Sequence, residues 1–309
     1  MATFKDSMPA VEATPISAAP PQGVRLEPAT VLHDRAIGDI LRDVRDLTDE
    51  QVERILAYQR EHKTRFGEAA VKLGLVSTDD VLFALSKQFH YPYASEERRE
   101  FTPELVTLNQ PFSQQAEALR AVRSQIMMRV FSETGPRAAL AVVSPNTRDG
   151  KTFFSANLAV TLAQLGGRTL LVDADLRGPR QHEVFGIENN SGLSGILSGR
   201  SETKVIQQVV GVSNLFVLPV GVTPPNPLEL VERPAFGLLM RELVSKFDHV
   251  VVDTPAAIYG TDAFVVAARC GAALVIARKN ESRIGALQDM VSYLSESPAK
   301  MAGVIMNEY

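Results

Sequence analysis

Cysteine and tryptophan are scarce in this sequence: Cys270 is the one cysteine among 309 residues, and tryptophan does not occur. A single thiol excludes an internal disulfide and a zinc site built from several cysteines, and it is typical of a reducing compartment. Because Cys270 lies in an apolar run, we expect a buried, inert thiol. The five histidines show no metal-ligand spacing, and no Gly-x-Ser-x-Gly nucleophile elbow is present.

Long apolar runs are also missing. No segment reaches the roughly 18 consecutive apolar residues that a membrane-spanning helix needs, and the N-terminal residues contain prolines where a secretory signal has its apolar stretch. The sequence therefore predicts a cytosolic protein, held at a membrane at most through a partner. The net charge of −4 argues against a general affinity for nucleic acid.

The length and the hydrophobic content of 45% allow about two domains with packed cores. Residues 1–32 are proline-rich and poor in large apolar side chains, which predicts a disordered leader. Residues 33–94 have helical periodicity and predict a small all-α domain. Residues 95–112 are charged and contain prolines, as a linker does. Residues 113–309 predict an α/β domain with a mostly parallel sheet flanked by helices.

The predicted helical domain repeats itself, since the pattern at 37–41 recurs at 66–70 and that at 47–52 recurs at 76–81. In each copy a Thr or Ser precedes acidic residues, which predicts a helix N-cap. The composition resembles the N-terminal domain of type II secretion ATPases and related cyclic-di-GMP-binding modules, whose Arg-x-Gly element is here Arg65-Phe66-Gly67. This resemblance implies a regulatory nucleotide site. The alternative is a docking domain in which Arg65 is a solvated residue at a helix start.

A phosphate-binding loop is indicated between a short apolar strand at 139–143 and a helical pattern at 153–165. The loop ends in Gly150-Lys151-Thr152, at the start of the helix, which is the context that a P-loop requires. Backbone N–H groups and the helix N-terminus face phosphates, Lys151 offsets their charge, and the Thr152 hydroxyl ligates Mg²⁺. Pro145 stands where the usual pattern has its first glycine.

Three carboxylates support that interpretation. Asp173 and Asp175 follow one buried strand, and Asp253 follows a second. Acids at the carboxyl ends of parallel strands point into the crevice where open α/β sheets bind ligands. The order of loop and acids therefore predicts a P-loop nucleotide site.

This constellation resembles the bacterial tyrosine kinases of capsule and exopolysaccharide synthesis, in the MinD/ParA-like branch of P-loop ATPases, over residues 113–309. The segment 173–177 is similar to that family's extra Walker motif, and the segment 224–230 is similar to its proline-rich helix entry. With the helical domain in front, the chain is similar to exopolysaccharide chain-length-determinant kinases of the EpsG type.

The resemblance implies ATP and Mg²⁺ as cofactors. The implied catalytic residues are Lys151, Asp173, Asp175 and Asp253, and the three carboxylates would also hold Mg²⁺ together with Thr152. Asn307, after an apolar strand, would contact adenine. The implied nucleotide-binding set is Asn146, Thr147, Arg148, Asp149, Gly150, Lys151, Thr152, Phe153 and Asn307.

The resemblance also implies partners. Glu117, Arg120 and Arg123 fit the family's Glu-x-x-Arg-x-x-Arg element, which implies contacts between subunits of a ring. The alternative is an exposed helix with ordinary surface charges. A separate membrane-embedded polysaccharide co-polymerase is the second implied partner, and it would hold the protein at the cytoplasmic face of the inner membrane.

Two departures from the family pattern bear on activity. Arg148 lies in the loop where the family usually has glycine, and a lone Tyr309, a candidate phosphoacceptor, replaces a tyrosine-rich tail. The leading hypothesis is an ATP-dependent tyrosine autokinase that controls polysaccharide chain length. The rival is an ATP-binding switch that changes assembly state and phosphorylates nothing. A MinD/ParA positioning ATPase is disfavoured because Asn146 occupies the place of that group's signature lysine.

Overall fold

The computed structural model describes residues 36–88, 102–132, 135–200 and 205–308. The predicted leader at 1–32, the first part of the predicted linker at 95–101 and Tyr309 lie outside the described residues.

The N-terminal described segment is helical, as predicted. It forms α1 (Ile37–Arg45), α2 (Asp49–His62), α3 (Phe66–Lys72) and α4 (Thr78–Gln88). The four helices pack around one small apolar cluster, in which Leu41, Ile55 and Ala84 are fully buried. This cluster is separate from the apolar clusters of the sheet described below.

The predicted N-caps of the two repeats are present. Thr48 and Gln51 form a capping box at the start of α2, in which each side chain bonds the backbone N–H of the other residue. Ser77 and Asp80 form the same reciprocal pair at the start of α4, at 2.7 and 3.1 Å. Local capping chemistry therefore starts both helices where the repeated sequence places them.

The Arg-x-Gly element of the helical domain has a packing explanation. A Cβ added to Gly67 would lie 2.6 Å from a methyl group of Val81, so the glycine lets α3 approach α4 closely. Arg65 precedes α3, and its backbone N–H donates to the Glu68 carboxylate at 3.4 Å. Gly67 is thus accounted for without a ligand, and a nucleotide site at Arg65 stays a prediction.

The C-terminal part is built on a seven-stranded sheet with the order β3-β4-β2-β5-β1-β6-β7. The strands are β1 (Ala139–Val143), β2 (Thr169–Asp173), β3 (Gln207–Gln208), β4 (Leu215–Leu218), β5 (His249–Asp253), β6 (Gly271–Arg278) and β7 (Lys300–Asn307). Neighbouring strands are parallel, apart from the antiparallel pair β3 and β4. This arrangement confirms the predicted mostly parallel sheet.

Helices cover both faces of this sheet. They are α5 (Val106–Asn109), α6 (Gln114–Arg129), α7 (Lys151–Ala163), α8 (Gln181–Phe185), α9 (Leu193–Leu197), α10 (Pro227–Glu232), α11 (Pro234–Lys246), α12 (Asp262–Cys270) and α13 (Ile284–Glu296), with a short 3₁₀ helix at Ala257–Tyr259. Strand β1 shows why the strands are continuously apolar. Ala139, Ala141 and Val143 belong to one apolar cluster, and the intervening Leu140 and Val142 belong to the other.

The second half of the predicted linker packs into this domain. Leu105, Val106 and Leu108 are buried against α6 and α7. The buried side chain of Asn157 on α7 accepts from the Thr107 backbone N–H at 3.1 Å and from the Thr107 hydroxyl at 2.9 Å. The described part of the α/β domain therefore begins at residue 102, earlier than the expected boundary at 113.

The expected burial of Cys270 is confirmed. Cys270 is 4% exposed at the end of α12, and burial raises the pKa of its thiol. Within residues 36–88, 102–132, 135–200 and 205–308, no helix combines the length and the apolar character needed to cross a bilayer.

Candidate active site

The loop between β1 and α7 has the geometry of a phosphate-binding loop. Strand β1 ends at Val143, and α7 begins at Lys151, after Gly150 with φ 101°. The positive φ favours glycine at this position, and a Cβ there would lie 2.2 Å from the Asn307 side-chain nitrogen, which would have to shift. The predicted strand, loop and helix are confirmed here, with backbone N–H groups left at the start of α7.

Side chains from distant parts of the sequence hold the loop in this shape. Asp149 is 2% exposed, and its carboxylate accepts from the Asn146 backbone N–H at 2.9 Å and from the Ser282 hydroxyl at 3.1 Å. Asn307, at the end of β7, donates to the Asp149 carbonyl at 3.0 Å. Asp149 and Asn307 thus support the loop, which gives both a structural role beside the nucleotide contacts predicted for them.

Lys151 lies at the base of the loop. Its side chain is buried, and Nζ donates to the Ser144 hydroxyl at 2.9 Å. Burial lowers the pKa of Lys151, and the carboxylates of Asp253, Asp175 and Asp149 partly oppose that shift. Lys151 thus lies at the start of the P-loop helix among three carboxylates, and its predicted contact with phosphate oxygens stays a prediction.

Arg148 adopts a left-handed backbone conformation, which glycine, the residue that the family usually has here, adopts easily. Its φ is 61°, whereas most non-glycine residues avoid positive φ. Holding a non-glycine residue in this region of φ and ψ costs about 1 kcal/mol or more. The loop therefore closes around its phosphate site despite the arginine, with local strain at that residue.

Asp173 and Asp253 lie side by side, because they are register partners at the carboxyl ends of β2 and β5. Both are buried. Asp173 accepts three backbone N–H groups, from Asp175 at 3.1 Å, Arg180 at 3.1 Å and Gln181 at 3.0 Å. Burial and the charge of Asp253 nevertheless raise the pKa of Asp173 well above its usual range. Asp173 thus organises the loop that leads into α8, and its predicted contact with Mg²⁺ stays a prediction.

Asp253 is more open to hydrogen-bonding side chains. Gln181 donates to it through Nε2 at 2.8 Å. Burial raises the pKa of Asp253 to about 6, although Lys151 and hydrogen bonds from Gln181 and Thr152 lower it. Asp253 thus lies next to the Thr152 side chain, and its predicted contact with Mg²⁺ stays a prediction.

Gln181 is a site residue that the sequence did not reveal. It is fully buried at the start of α8, and its Nε2 donates to the Asp253 carboxylate and, at 3.2 Å, to the Thr152 carbonyl. Its backbone N–H bonds Asp173. One glutamine thus ties both strand-end carboxylates to the P-loop helix. A single Gln in a polar stretch carries no local signal of such a role.

Lys151, Thr152 and Asp175 meet in one cleft of about 560 Å³. Asp175 forms a tight turn, in which its carboxylate accepts from the backbone N–H of Arg177 and of Gly178. The cleft is lined by Glu104, Thr147, Arg148, Gly150, Lys151, Thr152, Phe153, Asp175, Arg177, Gly178, Arg180, Ala256 and Tyr259. The structure therefore brings together most of the predicted phosphate and magnesium residues.

Asn307 and Phe153 also border a second, more apolar pocket of about 680 Å³ next to the cleft. Its walls come from the start of α6, from α7 and from the end of β7, including Leu119, Ile305 and Met306. Asn307 is thus placed between the P-loop and an apolar pocket. That position is compatible with the predicted contact between Asn307 and adenine, which stays a prediction.

A magnesium ion fits this cleft only with help from the nucleotide. Among the residues that the structure describes, no group of three or more His, Cys, Asp or Glu side chains is arranged to hold a metal. Mg²⁺ in phosphate-transfer sites is commonly held by one or two carboxylates, phosphate oxygens and water. Thr152, Asp175 and Asp253 provide such a partial set.

Two ion pairs connect the loops around the cleft. Arg177 forms a bidentate pair with Asp262, at 3.0 and 3.1 Å from Nη2, and Asp262 is 3% exposed. Arg180 pairs with Glu104 at 2.6 Å. Paired arginine and carboxylate groups of this kind fix loop geometry through directional bonds.

The predicted ring element on α6 is engaged within the chain. Arg120 pairs with Glu117 and also bonds the Pro111 carbonyl. Arg123 donates to the Thr161 carbonyl on α7 at 2.9 Å. The Glu117 side chain is 67% exposed, whereas that of Arg120 is 16% exposed. The contact of these residues with another subunit stays a prediction.

With this geometry established, comparison with known proteins identifies the family. Residues 140–309 match the family described as CobQ/CobB/MinD/ParA nucleotide binding domain. The chain is 35% identical over 204 residues to the putative tyrosine-protein kinase CapB of Staphylococcus aureus, covering 65% of this chain and 87% of CapB. The chain belongs to the bacterial tyrosine-protein kinase family, within that nucleotide-binding group.

Other members of the kinase family are longer or have solved structures. The tyrosine-protein kinase wzc of Salmonella typhimurium is 33% identical, over 66% of this chain and only 28% of its own length. The kinase domain of the Escherichia coli tyrosine kinase ETK is 32% identical with a TM-score of 0.63, covering 68% of this chain and 81% of that domain. The chimerical protein CapA2B2 is 30% identical with a TM-score of 0.62, covering 73% and 97%.

The raised pKa of Asp253 predicts a dependence of stability on pH. An acid whose pKa is higher in the folded protein than in the unfolded chain adds to the free energy of unfolding when the pH is below the unfolded pKa. This contribution is lost as the pH rises through the folded pKa, which is about 6 for Asp253. In magnesium-free buffer we expect Asp253→Asn to raise Tm by several degrees at about pH 7.5 and by less at about pH 5, because the amide carries no charge to bury. Thermal unfolding followed by circular dichroism measures this. The exposed Asp289→Asn is the control, and an equal loss of Tm at both pH values for Asp253→Asn would contradict the assignment.

The strained Arg148 gives a second prediction. Glycine has no Cβ to oppose a φ of 61°, so Arg148→Gly should be about 1 kcal/mol more stable than Arg148→Ala in urea unfolding. Glu281, an exposed loop residue whose φ is not positive, is the position at which the same two substitutions serve as the control. There the glycine variant should be the less stable of the two. If Arg148→Gly and Arg148→Ala unfold alike, the loop is unstrained.

Proposed function

We propose that this chain is an ATP-dependent protein-tyrosine kinase that phosphorylates itself and regulates the polymerisation and export of an exopolysaccharide. The observation that carries the proposal is the cleft in which Lys151, Thr152 and Asp175 meet, in a chain that belongs to the bacterial tyrosine-kinase family. The relatives are named for kinase activity, and several are longer proteins of which this chain spans about a quarter. The substrates and partners of the whole system are therefore part of the proposal.

The residues of the cleft divide the work of phosphoryl transfer. Backbone N–H groups at the start of α7 cradle the phosphates, and the Lys151 ammonium neutralises charge on the transferred group. Mg²⁺, when bound with ATP, would supply further positive charge between Thr152, Asp175 and Asp253. Positioning and charge neutralisation are most of what this reaction requires.

The partners of this reaction follow from the same proposal. A second copy would meet the exposed Glu117 surface of α6 in a ring, and a membrane-embedded polysaccharide co-polymerase would hold the kinase at the inner membrane. The helical domain would report a second signal. Cyclic di-GMP at Arg65 is the candidate carried over from the sequence, and calorimetric titration against Arg65→Ala tests it.

An ATP-binding switch is the second candidate, and a specific observation favours it. The positive φ of Arg148 strains the loop at a place where the family usually has glycine, while bonds to Asp149 hold the loop in shape, so nucleotide binding would persist with slow turnover. A protein of this kind would bind ATP and change its assembly state without forming phosphotyrosine. Its signature is nucleotide binding that survives in the absence of phosphoryl transfer.

The kinase proposal predicts that phosphotyrosine depends on Lys151. In Lys151→Met the apolar stem remains and the charge is lost, so phosphotyrosine formed with Mg-ATP should fall by at least about 100-fold. Phosphopeptide mass spectrometry measures the product, and Lys246→Met, on the exposed end of α11, is the control. Wild-type protein that binds Mg-ATP and forms no phosphotyrosine would favour the switch instead.

The ring proposal is tested through the exposed carboxylate of its element. Glu117→Lys should lower the assembly state in the presence of nucleotide, because it reverses the charge offered to a neighbouring subunit. Multi-angle light scattering gives the mass. Glu296→Lys makes the same charge change on the exposed side of α13 and should leave the mass unchanged. Equal masses for all three proteins would argue against this contact.

A further inference from the structure

One tyrosine occupies a place that the kinase proposal has not used. The structure describes three of the six tyrosines, namely Tyr58, Tyr259 and Tyr293. Tyr58 stacks on His62 in the helical domain, and Tyr293 on α13 packs beside Phe264. Tyr259 alone among these three lines the cleft that contains Lys151, Thr152 and Asp175.

Tyr259 is accessible as well as adjacent. It is 55% exposed and ends the short 3₁₀ helix that follows β5 and its site carboxylate Asp253. A hydroxyl that accepts a phosphoryl group has to reach the phosphate held by the loop while the ring remains free to move. An exposed ring on the cleft wall meets both needs.

The segment that carries Tyr259 is fixed directly to the phosphate loop. The backbone N–H of Ala257 donates to the Ser144 carbonyl, and that of Ile258 donates to the Pro145 carbonyl, both at 3.0 Å. The Ser144 hydroxyl also accepts the hydrogen bond from the Lys151 ammonium. The position of Tyr259 is therefore set by the same loop that positions the phosphate-binding lysine.

The other side of Tyr259 is fixed as well. Gly260 follows with φ 143°, a conformation that suits glycine, and Asp262 comes two residues later. The bidentate pair of Asp262 with Arg177 ties this turn to the loop that carries Asp175. Tyr259 is thus held between the phosphate loop and the carboxylate loop, on a short turn with little freedom to leave the cleft.

We propose that Tyr259 is an intramolecular phosphoacceptor. This inference rests on the proposed kinase function and names one of its substrates. The Tyr259 hydroxyl oxygen forms a bond to the γ-phosphorus of ATP, and the bond between that phosphorus and the β–γ bridging oxygen breaks. ADP leaves with the electron pair of that bond, and the tyrosine proton passes to a carboxylate of the cleft, for which Asp175 is placed.

The surroundings of Tyr259 suit the product. A phosphotyrosine carries about two negative charges and is stabilised by arginine. Arg148, Arg177 and Arg180 line the same cleft. The product would also occupy the cleft in which the next ATP must bind, so phosphorylation of Tyr259 would slow further turnover by the same subunit.

The first test maps phosphate on the full chain after incubation with Mg-ATP. Phosphopeptide mass spectrometry should find phosphate on Tyr259 in the wild type and in Tyr293→Phe, the matched exposed tyrosine, and none at this position in Lys151→Met. The first-order rate constant for phosphorylation of Tyr259 should be independent of protein concentration, as an intramolecular step requires. Lys151-dependent phosphotyrosine at other tyrosines, with none at Tyr259, would overturn this proposal and leave the kinase function intact.

A mixing experiment separates transfer within one chain from transfer between chains. Tyr259→Phe supplies the Lys151 site without the acceptor, and its activity is checked by the phosphotyrosine that it forms at other tyrosines. Lys151→Met supplies the acceptor without the lysine. Incubated together, they should yield no phosphate on Tyr259. Phosphate there would show transfer between subunits and overturn the intramolecular assignment. Wild-type protein that binds nucleotide and forms no phosphotyrosine at any position would overturn the kinase function itself.

Discussion

The pairing of β2 with β5 places two carboxylates, Asp173 and Asp253, side by side at the buried end of the sheet. Burial raises the pKa of both acids, and the charge of Asp253 raises that of Asp173 further. The surrounding loops are organised around that constraint. Three backbone N–H groups are directed at Asp173, and Gln181 and Lys151 neutralise or bond Asp253. A cation bound at this end of the sheet would offset the charge of the two acids.

The phosphate loop depends on distant residues for the same reason. Its backbone must leave N–H groups free for phosphate, so the loop cannot be held by its own hydrogen bonds alone. Asn307 and Ser282 brace Asp149 from the ends of other elements, and the 3₁₀ helix after β5 bonds the loop carbonyls. The elements that carry Asn307 and Asp253 therefore also support the loop. A change at Asn307 would act on the loop as well as on any base that it contacts.

The segment at 102–109 connects the cleft to the chain that leads from the helical domain. Its apolar residues are packed against α7, and Glu104 pairs with Arg180, whose backbone N–H bonds Asp173. The segment is thus connected to the Asp173 carboxylate through two bonds of Arg180, one to Glu104 and one to Asp173.

Local patterns were sufficient to predict much of the fold. The sequence predicted the strand, loop and helix around Lys151, the buried strands ending in Asp173 and Asp253, and the capped helices at Thr48 and Ser77. Each of these is encoded in a short run of residues whose periodicity or capping chemistry is local. The packing of Leu105 and Leu108 was missed, because charge and proline nearby are typical of a linker.

The sequence by itself determined which residues are the candidates for binding phosphate and magnesium, since glycine, lysine and carboxylates follow buried strands here in the order of a P-loop site. The tertiary structure alone decided how they act together. Gln181 meets Asp253 across the sheet, Arg177 reaches Asp262, and Tyr259 enters the cleft only when β5 lies beside β1. Contacts of this kind join residues far apart in the chain, and no periodicity within one segment records them.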